Sequence, residues 1–172
     1  MSGSVTIVGA GLAGSLLATM LGQRGYRVDV YERRSDPRLS GAERGRSINL
    51  AISARGLAAL AEVDLRDEVL KRGIPMRGRM LHDRDGTQTY QSYSPHGDRA
   101  INSISRGELN AILLDSAERQ PGVTIHFDHR LVEFDVDSRR MVYEGPHGQV
   151  TVMNDAVIGT DGAYSVVRRH LQ

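Results

Sequence analysis

The 172-residue sequence contains no cysteine. That excludes structural disulfides, thiolate metal sites, cysteine nucleophiles and electron relay through a Cys-x-x-Cys pair. Lysine is nearly absent too: of 22 basic residues only Lys71 is not arginine. The arginines are interspersed with 21 acids, for a net charge of +1. Such a pattern reads as a solvated mixed surface and gives no footing for a nucleic-acid partner. No apolar run approaches the length needed to span a bilayer, and no signal peptide is visible. The expectation is a cytoplasmic protein without a membrane partner. There is no Gly-x-Ser-x-Gly elbow to present a serine nucleophile. His126 and His129 are three positions apart on an expected strand, which predicts opposite faces and a poor metal pair. Neither a catalytic side chain nor a metal is expected.

What is present is concentrated between Val5 and Glu32. An apolar strand (Val5, Ile7, Val8) runs into Gly9-Ala10-Gly11-Leu12-Ala13-Gly14. A helix is expected next, with Leu16, Leu17, Met20 and Leu21 on one face, and then a strand from Arg27 to Tyr31 that ends on Glu32. Each glycine has a mechanical reason. Gly9 permits the tight turn, Gly11 lets backbone approach a pyrophosphate, and Gly14 lets the helix pack closely. The helix N-terminus then faces the phosphate charge, and Glu32 can accept from a ribose hydroxyl. A lone Gly-x-Gly-x-x-Gly is a weak signal. After a strand, before a helix, and 18 residues ahead of an acid at a strand end, it marks a dinucleotide site.

The segment Arg33-Arg34-Ser35-Asp36-Pro37-Arg38 is a polar turn whose first two arginines either contact the dinucleotide or lie on an exposed loop. Ser53 is a predicted N-cap for a helix over Ala54 to Ala61, and a second helix is expected from Leu65 to Lys71. From Met76 the pattern turns to strands: Arg77 to His82, an Asp85-Gly86 hairpin turn, Thr87 to Tyr93, a loop over Ser94 to Asp98, and Ala100 to Ile104. Residues 76–104 thus form a β excursion between two α/β parts. Ser105 and Glu108 have capping-box spacing at the start of a helix whose apolar face carries Leu109, Ile112 and Leu113. A strand over Val123 to Phe127 follows. A three-stranded meander then covers Leu131 to Val136, Arg140 to Glu144 and Gln149 to Met153. A final strand ends at Gly159-Thr160-Asp161-Gly162 with a helix behind it. Ending within that helix, the chain reads as the N-terminal part of something longer.

These motifs together resemble the flavin-dependent aromatic hydroxylases: Gly9 to Gly14 with Glu32, the Ser105-Arg106 helix start, and Gly159-Thr160-Asp161-Gly162-Ala163-Tyr164-Ser165-Val166-Val167-Arg168. The stretches Gly45-Arg46-Ser47-Ile48-Asn49-Leu50-Ala51-Ile52-Ser53 and Met76-Arg77-Gly78-Arg79-Met80 are similar to the kynurenine 3-monooxygenase family within them. The resemblance implies an α/β, Rossmann-like FAD-binding fold spanning residues 1–172, with the β excursion belonging to a substrate domain. It implies FAD as cofactor, NADPH as co-substrate, O2, and a small aromatic amino acid as substrate, L-kynurenine going to 3-hydroxykynurenine. Tryptophan catabolism and NAD biosynthesis are the pathways it implies. FAD contacts fall on Gly9, Gly11, Ala13, Gly14, Tyr31, Glu32, Arg33, Arg34, Ala51, Arg106, Leu131 and Asp161, the last also serving the pyridine nucleotide. Arg79 and Tyr93 match the residues that hold the substrate carboxylate. A planar guanidinium suits that task, since it offers a bidentate fork.

The chemistry would then be the cofactor's, the protein positioning the ring and excluding water. Part of the family's site has no match within these residues, so the 172-residue chain alone is expected to be inactive and to bind FAD weakly. Three alternatives remain open from sequence: another FAD-dependent aromatic hydroxylase, a flavin-binding module without catalysis, and a NAD-binding dehydrogenase.

Overall fold

A computed structural model describes residues 3–39, 48–96 and 100–172. The chain opens with β1 (Ser4–Val8), α1 (Leu12–Gln23) and β2 (Arg27–Tyr31). Next come β3 (Asn49–Ile52), α2 (Ala54–Ala61), α3 (Arg66–Arg72), β4 (Ile74–Met76), β5 (Gly78–His82), β6 (Gln88–Ser92) and β7 (Ile101–Ser105). The chain closes with α4 (Arg106–Glu118), β8 (Val123–His126), β9 (Arg130–Asp135), β10 (Arg140–Gly145), β11 (Gly148–Met153), β12 (Ala156–Gly159) and α5 (Val166–His170). Two compact units result, Met1–Gly45 with Asn110–Gln172, and Arg46–Leu109. That second unit extends on both sides of the excursion read as 76–104, because β3 pairs with β7.

The first unit is built on a parallel sheet in the order β12-β1-β2-β8. Its inner strand β1 is buried from Val5 to Val8, as a strand covered on both faces requires, whereas β2 sets Asp29 between the buried Val28 and Val30. Val5, Ile7, Val28 and Val30 are buried in its core together with Ala18, Leu114 and Ala117 from the helices. In α1 the buried residues are Gly14, Ser15, Ala18 and Thr19, not the leucines. Leu17 and Leu21 only flank the core, and Leu16 and Met20 are half-buried. The small face wins because it lets the helix axis approach the sheet. Its hydroxyls are satisfied internally, Ser15 Oγ donating to Ala10 O (3.1 Å) and Thr19 Oγ1 to Ser15 O (3.0 Å).

The meander forms as read, an antiparallel sheet in the order β11-β10-β9 with an irregularity at Val142/Tyr143. Leu131, Phe134, Met141 and Tyr143 from it share a core with Val8, Tyr31 and Val167. In the second unit β3, β7 and β4 make a three-stranded antiparallel sheet, and β5 and β6 pair as a separate ribbon. Ser53 caps α2 by accepting from Gly56 N at 3.4 Å. Glu108 pairs with Arg72 at 3.4 Å, and Ser105 closes β7 opposite Asn49.

Candidate nucleotide site

The dinucleotide signature folds as a cradle at the carboxyl ends of β1 and β2. Gly9 has φ +103, and its N–H donates to Tyr31 O at 2.8 Å, tying the turn to the end of β2. A Cβ on Gly14 would sit 2.0 Å from Gly9 O and 2.6 Å from Thr160 Oγ1. The close approach that Gly14 permits is therefore to the turn itself and to the end of β12. Gly11 is the N-cap of α1, no side chain caps that helix, and a Cβ at Gly11 would meet nothing within 4 Å. Ala13 in the first turn is exposed. Unpaired N–H groups at a helix start, with open space before them, are suited to an anion.

Glu32 closes the cradle. Its Oε2 accepts from Ala10 N at 2.9 Å and its Oε1 from Arg34 N at 3.0 Å. One carboxylate thus bridges the glycine turn and the segment after β2. Each oxygen keeps a lone pair for a further donor. Arg33 and Arg34, which follow Glu32 in the chain, are exposed. A pyrophosphate at the helix start and a ribose diol at Glu32 match these donors and acceptors, so the residues fit the adenosine end of FAD.

Two other expected contacts lie inward. Tyr31 is 6% exposed, its ring stacked on Tyr143 at 4.1 Å and on His126 at 4.5 Å. Burial, with the Asp29 charge second, pushes its phenol up to about 12. Leu131 is 5% exposed within the same core. Both side chains are therefore spent on packing. The carboxylate of Asp161 is turned onto its own loop, accepting from Ser165 Oγ (2.6 Å), Val166 N (2.6 Å) and Val167 N (3.2 Å). It caps α5. The expectation that His126 and His129 face apart is overturned: their rings lie 5.8 Å from one another. The strand stops at His126 and Asp128 adopts φ +58, which swings His129 back against Tyr31. Among the described residues no group of three or more potential metal ligands forms.

The remaining candidates belong to the second unit. Ala51 is exposed on β3 opposite Ser103, and Arg106 is exposed at the start of α4, its N–H donating to Ile48 O at 3.2 Å. Arg79 is exposed on β5, where its Nε donates to Gln91 Oε1 at 2.7 Å. The pairing of Arg79 with Gln91, and Tyr93 N donating to Arg77 O, put Arg79 and Tyr93 on one face of the ribbon. Gly45, Arg46 and Ser47 of the motif that starts at Gly45 lie outside the described residues, as do Gly97 and Asp98 of the expected loop.

Sequence reading missed two supports of this cradle. Thr160 Oγ1 lies 3.0 Å from Val8 O and 2.7 Å from Gly9 O, placing a hydroxyl under the glycine turn. Arg38 pairs with Asp36, Asp115 and Glu118, each at 2.7 Å, and clamps the loop after β2 to α4. That contact holds the Asp36 carboxyl below the usual carboxylate range. The hydroxyl at the strand end was a usable signal. The ion cluster spans some 80 positions and had none.

The model of the FAD binding domain matches residues 3–172. The chain belongs to the FAD binding domain family. Members similar to it include the kynurenine 3-monooxygenase of Anopheles gambiae, 46% identical over 169 residues, covering 97% of this chain and 35% of that protein. The kynurenine 3-monooxygenase of Stenotrophomonas maltophilia (strain K279a) is also 46% identical, with 97% and 37% covered. The chain therefore spans somewhat over a third of the length of these curated relatives. Among solved structures, p-nitrophenol 4-monooxygenase from Pseudomonas putida DLL-E4 superposes with a TM-score of 0.79 at 25% identity, over 99% of this chain and 43% of that one. A tetrameric 2-methyl-3-hydroxypyridine-5-carboxylic acid oxygenase shares the fold, with a TM-score of 0.79 at 21% identity over 99% and 42%. The α/β fold with its parallel sheet is thus that of FAD-dependent aromatic hydroxylases. Among the described residues no helix is long and apolar enough to cross a membrane.

Proposed function

We propose that this chain is the FAD-binding part of an NADPH-dependent monooxygenase that converts L-kynurenine to 3-hydroxykynurenine. One observation carries the cofactor half: the Glu32 carboxylate is held by Ala10 N and Arg34 N beside an uncapped helix start. The substrate half rests on the 46% identity to kynurenine 3-monooxygenases.

When bound, FAD would supply the redox chemistry of an NADPH- and O2-dependent ring hydroxylation, one oxygen entering the ring and the other leaving as water. The chain's own residues bind and orient. The first-turn N–H groups of α1, at Leu12 and Ala13, face the pyrophosphate, with Gly9, Gly11 and Gly14 shaping the turn. Glu32 accepts from the adenosine ribose, and Arg33 and Arg34 flank it. Tyr31 and Leu131 contribute backbone, their rings and methyls serving the core. Asp161 holds the start of α5, so that the Asp161-Gly162 turn serves FAD and the pyridine nucleotide. Ala51 and Arg106 line the flavin. Arg79, assisted by Tyr93, takes the substrate carboxylate through the guanidinium edge that Gln91 leaves free. The work is done in the cytoplasm, in tryptophan breakdown or NAD synthesis.

Kynurenine-dependent NADPH oxidation by the complete gene product tests this. Stimulation by kynurenine is expected. Stimulation by another aromatic acid and none by kynurenine would sink the substrate assignment while leaving the cofactor assignment standing.

A further inference from the structure

The Glu32 carboxylate has its partners, and so does its main chain. β2 and β8 pair in parallel as far as Tyr31 opposite His126. Beyond that point the two chains do not diverge. Glu32 N donates to His126 O at 2.9 Å, His129 N donates to Glu32 O at 2.8 Å, and Asp128 N donates to Arg34 O at 3.1 Å. Both backbone groups of Glu32 are thus held by one short turn, residues 126–129. The turn is possible because Asp128 sits in the left-handed region, φ +58, where a short polar side chain is tolerated and a β-branched one is not. Its carboxylate adds a contact, Oδ1 accepting from Ser35 Oγ at 2.5 Å.

Side chains brace the same turn. The imidazoles of His126 and His129 pack on Tyr31 with centroids 4.5 and 5.8 Å away. His126 Nε2 lies 3.0 Å from Asp29 Oδ1, and His129 Nδ1 lies 2.6 Å from Phe127 O. Gly145 leaves the room that His129 needs, since a Cβ there would meet its Nε2 at 2.7 Å.

We propose that the turn at residues 126–129 is a clasp that presets Glu32 for a ribose diol, with Asp128 as the positioning residue that shapes it. The proposal rests on the reading of Glu32 as the acid that receives the adenosine ribose. Its physical basis is preorganisation. An acceptor held in place from both sides loses little freedom when the ligand arrives, whereas a loosened one must be ordered at the expense of affinity. Asp128 touches no ligand in this scheme. It acts through the backbone it shares with Glu32 and Arg34.

The test is FAD affinity of the apoprotein of the complete gene product, read by quenching of flavin fluorescence well below the melting temperature, with Tm measured alongside. Asp128→Val should weaken FAD about tenfold or more, because a β-branched residue expels the left-handed turn. Asp128→Gly and Asp128→Asn, which keep that conformation, should stay within about threefold of the parent. Should the valine variant fail to fold, Asp128→Ala gives the same direction with a smaller loss. A valine or alanine variant with lowered Tm and unchanged FAD affinity would overturn the clasp. So would a glycine variant that loses as much affinity as the valine one. Glu32→Ala separates the layers. Unchanged affinity there removes the ribose assignment and the clasp with it, while a loss there beside an unaffected Asp128→Val removes the clasp alone.

Discussion

The nucleotide cradle and the β5–β6 ribbon carry their candidate residues in opposite ways. In the cradle, Gly9, Gly14, Glu32 and Asp161 are tied by backbone hydrogen bonds and close contacts to β1, β2, β12 and α5. In the ribbon every residue but Gly78 is exposed, and Arg79 is held by a single amide, Gln91. Met80, Leu81, Tyr90 and Tyr93 are large apolar groups in water. The contrast separates two kinds of site. The cradle owes its shape to main-chain geometry that 172 residues suffice to build. The ribbon presents side chains whose specificity depends on what packs against them.

The harshest way to break the cradle is at Gly14. Gly14→Val should cost more than about 3 kcal/mol in denaturant unfolding, since the added carbon meets backbone that cannot step aside. A mild effect would show that the turn is softer than described. Leu131→Ala comes next and sharpens the division between core and contact. It should lose about 3 kcal/mol of stability through the cavity it leaves. FAD affinity measured well below the melting temperature should move less than about threefold, because the Leu131 side chain is packed into the core. A large affinity loss would put its side chain back into the site.

On the ribbon side, Arg79→Ala should raise KM for the aromatic amino acid at least about tenfold in the complete gene product, the loss of one bidentate carboxylate contact. An unchanged KM would leave Arg79 an exposed strand residue. The smallest effect concerns the loop that bears Arg33 and Arg34. Asp36 titrates below its ordinary range because Arg38 hydrogen-bonds it, so its contribution exists above the unfolded pKa and disappears as pH falls through the folded one. Asp36→Asn should therefore cost about 1 kcal/mol near pH 7, and the gap from the parent should close below about pH 4. A gap that persists in acid would assign the effect to packing.

Much of this was legible in the residues. Strand β2 falls at Arg27 to Tyr31 and helix α2 behind its Ser53 cap, and the meander forms from the three segments read for it. Local periodicity suffices for elements of that kind. It failed where packing chose between two acceptable faces. α1 buried Ser15, Ala18 and Thr19 because closeness to the sheet outweighed the larger area of its leucines. It failed again where one residue left regular geometry, since the left-handed Asp128 brought two histidines together that a straight strand would separate. The inward turn of Asp161, the core position of Leu131 and the cluster around Arg38 are tertiary facts, set by partners remote in sequence. A motif announces that a residue matters and leaves open which of its atoms faces the ligand.

The central claim is that the first unit is a preset seat for the adenosine diphosphate end of FAD, with Glu32 as its acceptor. ADP carries that end alone, so its binding isotherm on the parent apoprotein and on Glu32→Ala is the direct measurement. ADP should bind the parent and compete with FAD, and Glu32→Ala should weaken it about tenfold or more, the loss of a charged hydrogen-bond acceptor. Equal ADP binding by both proteins, or none by a parent that still binds FAD, would contradict the account.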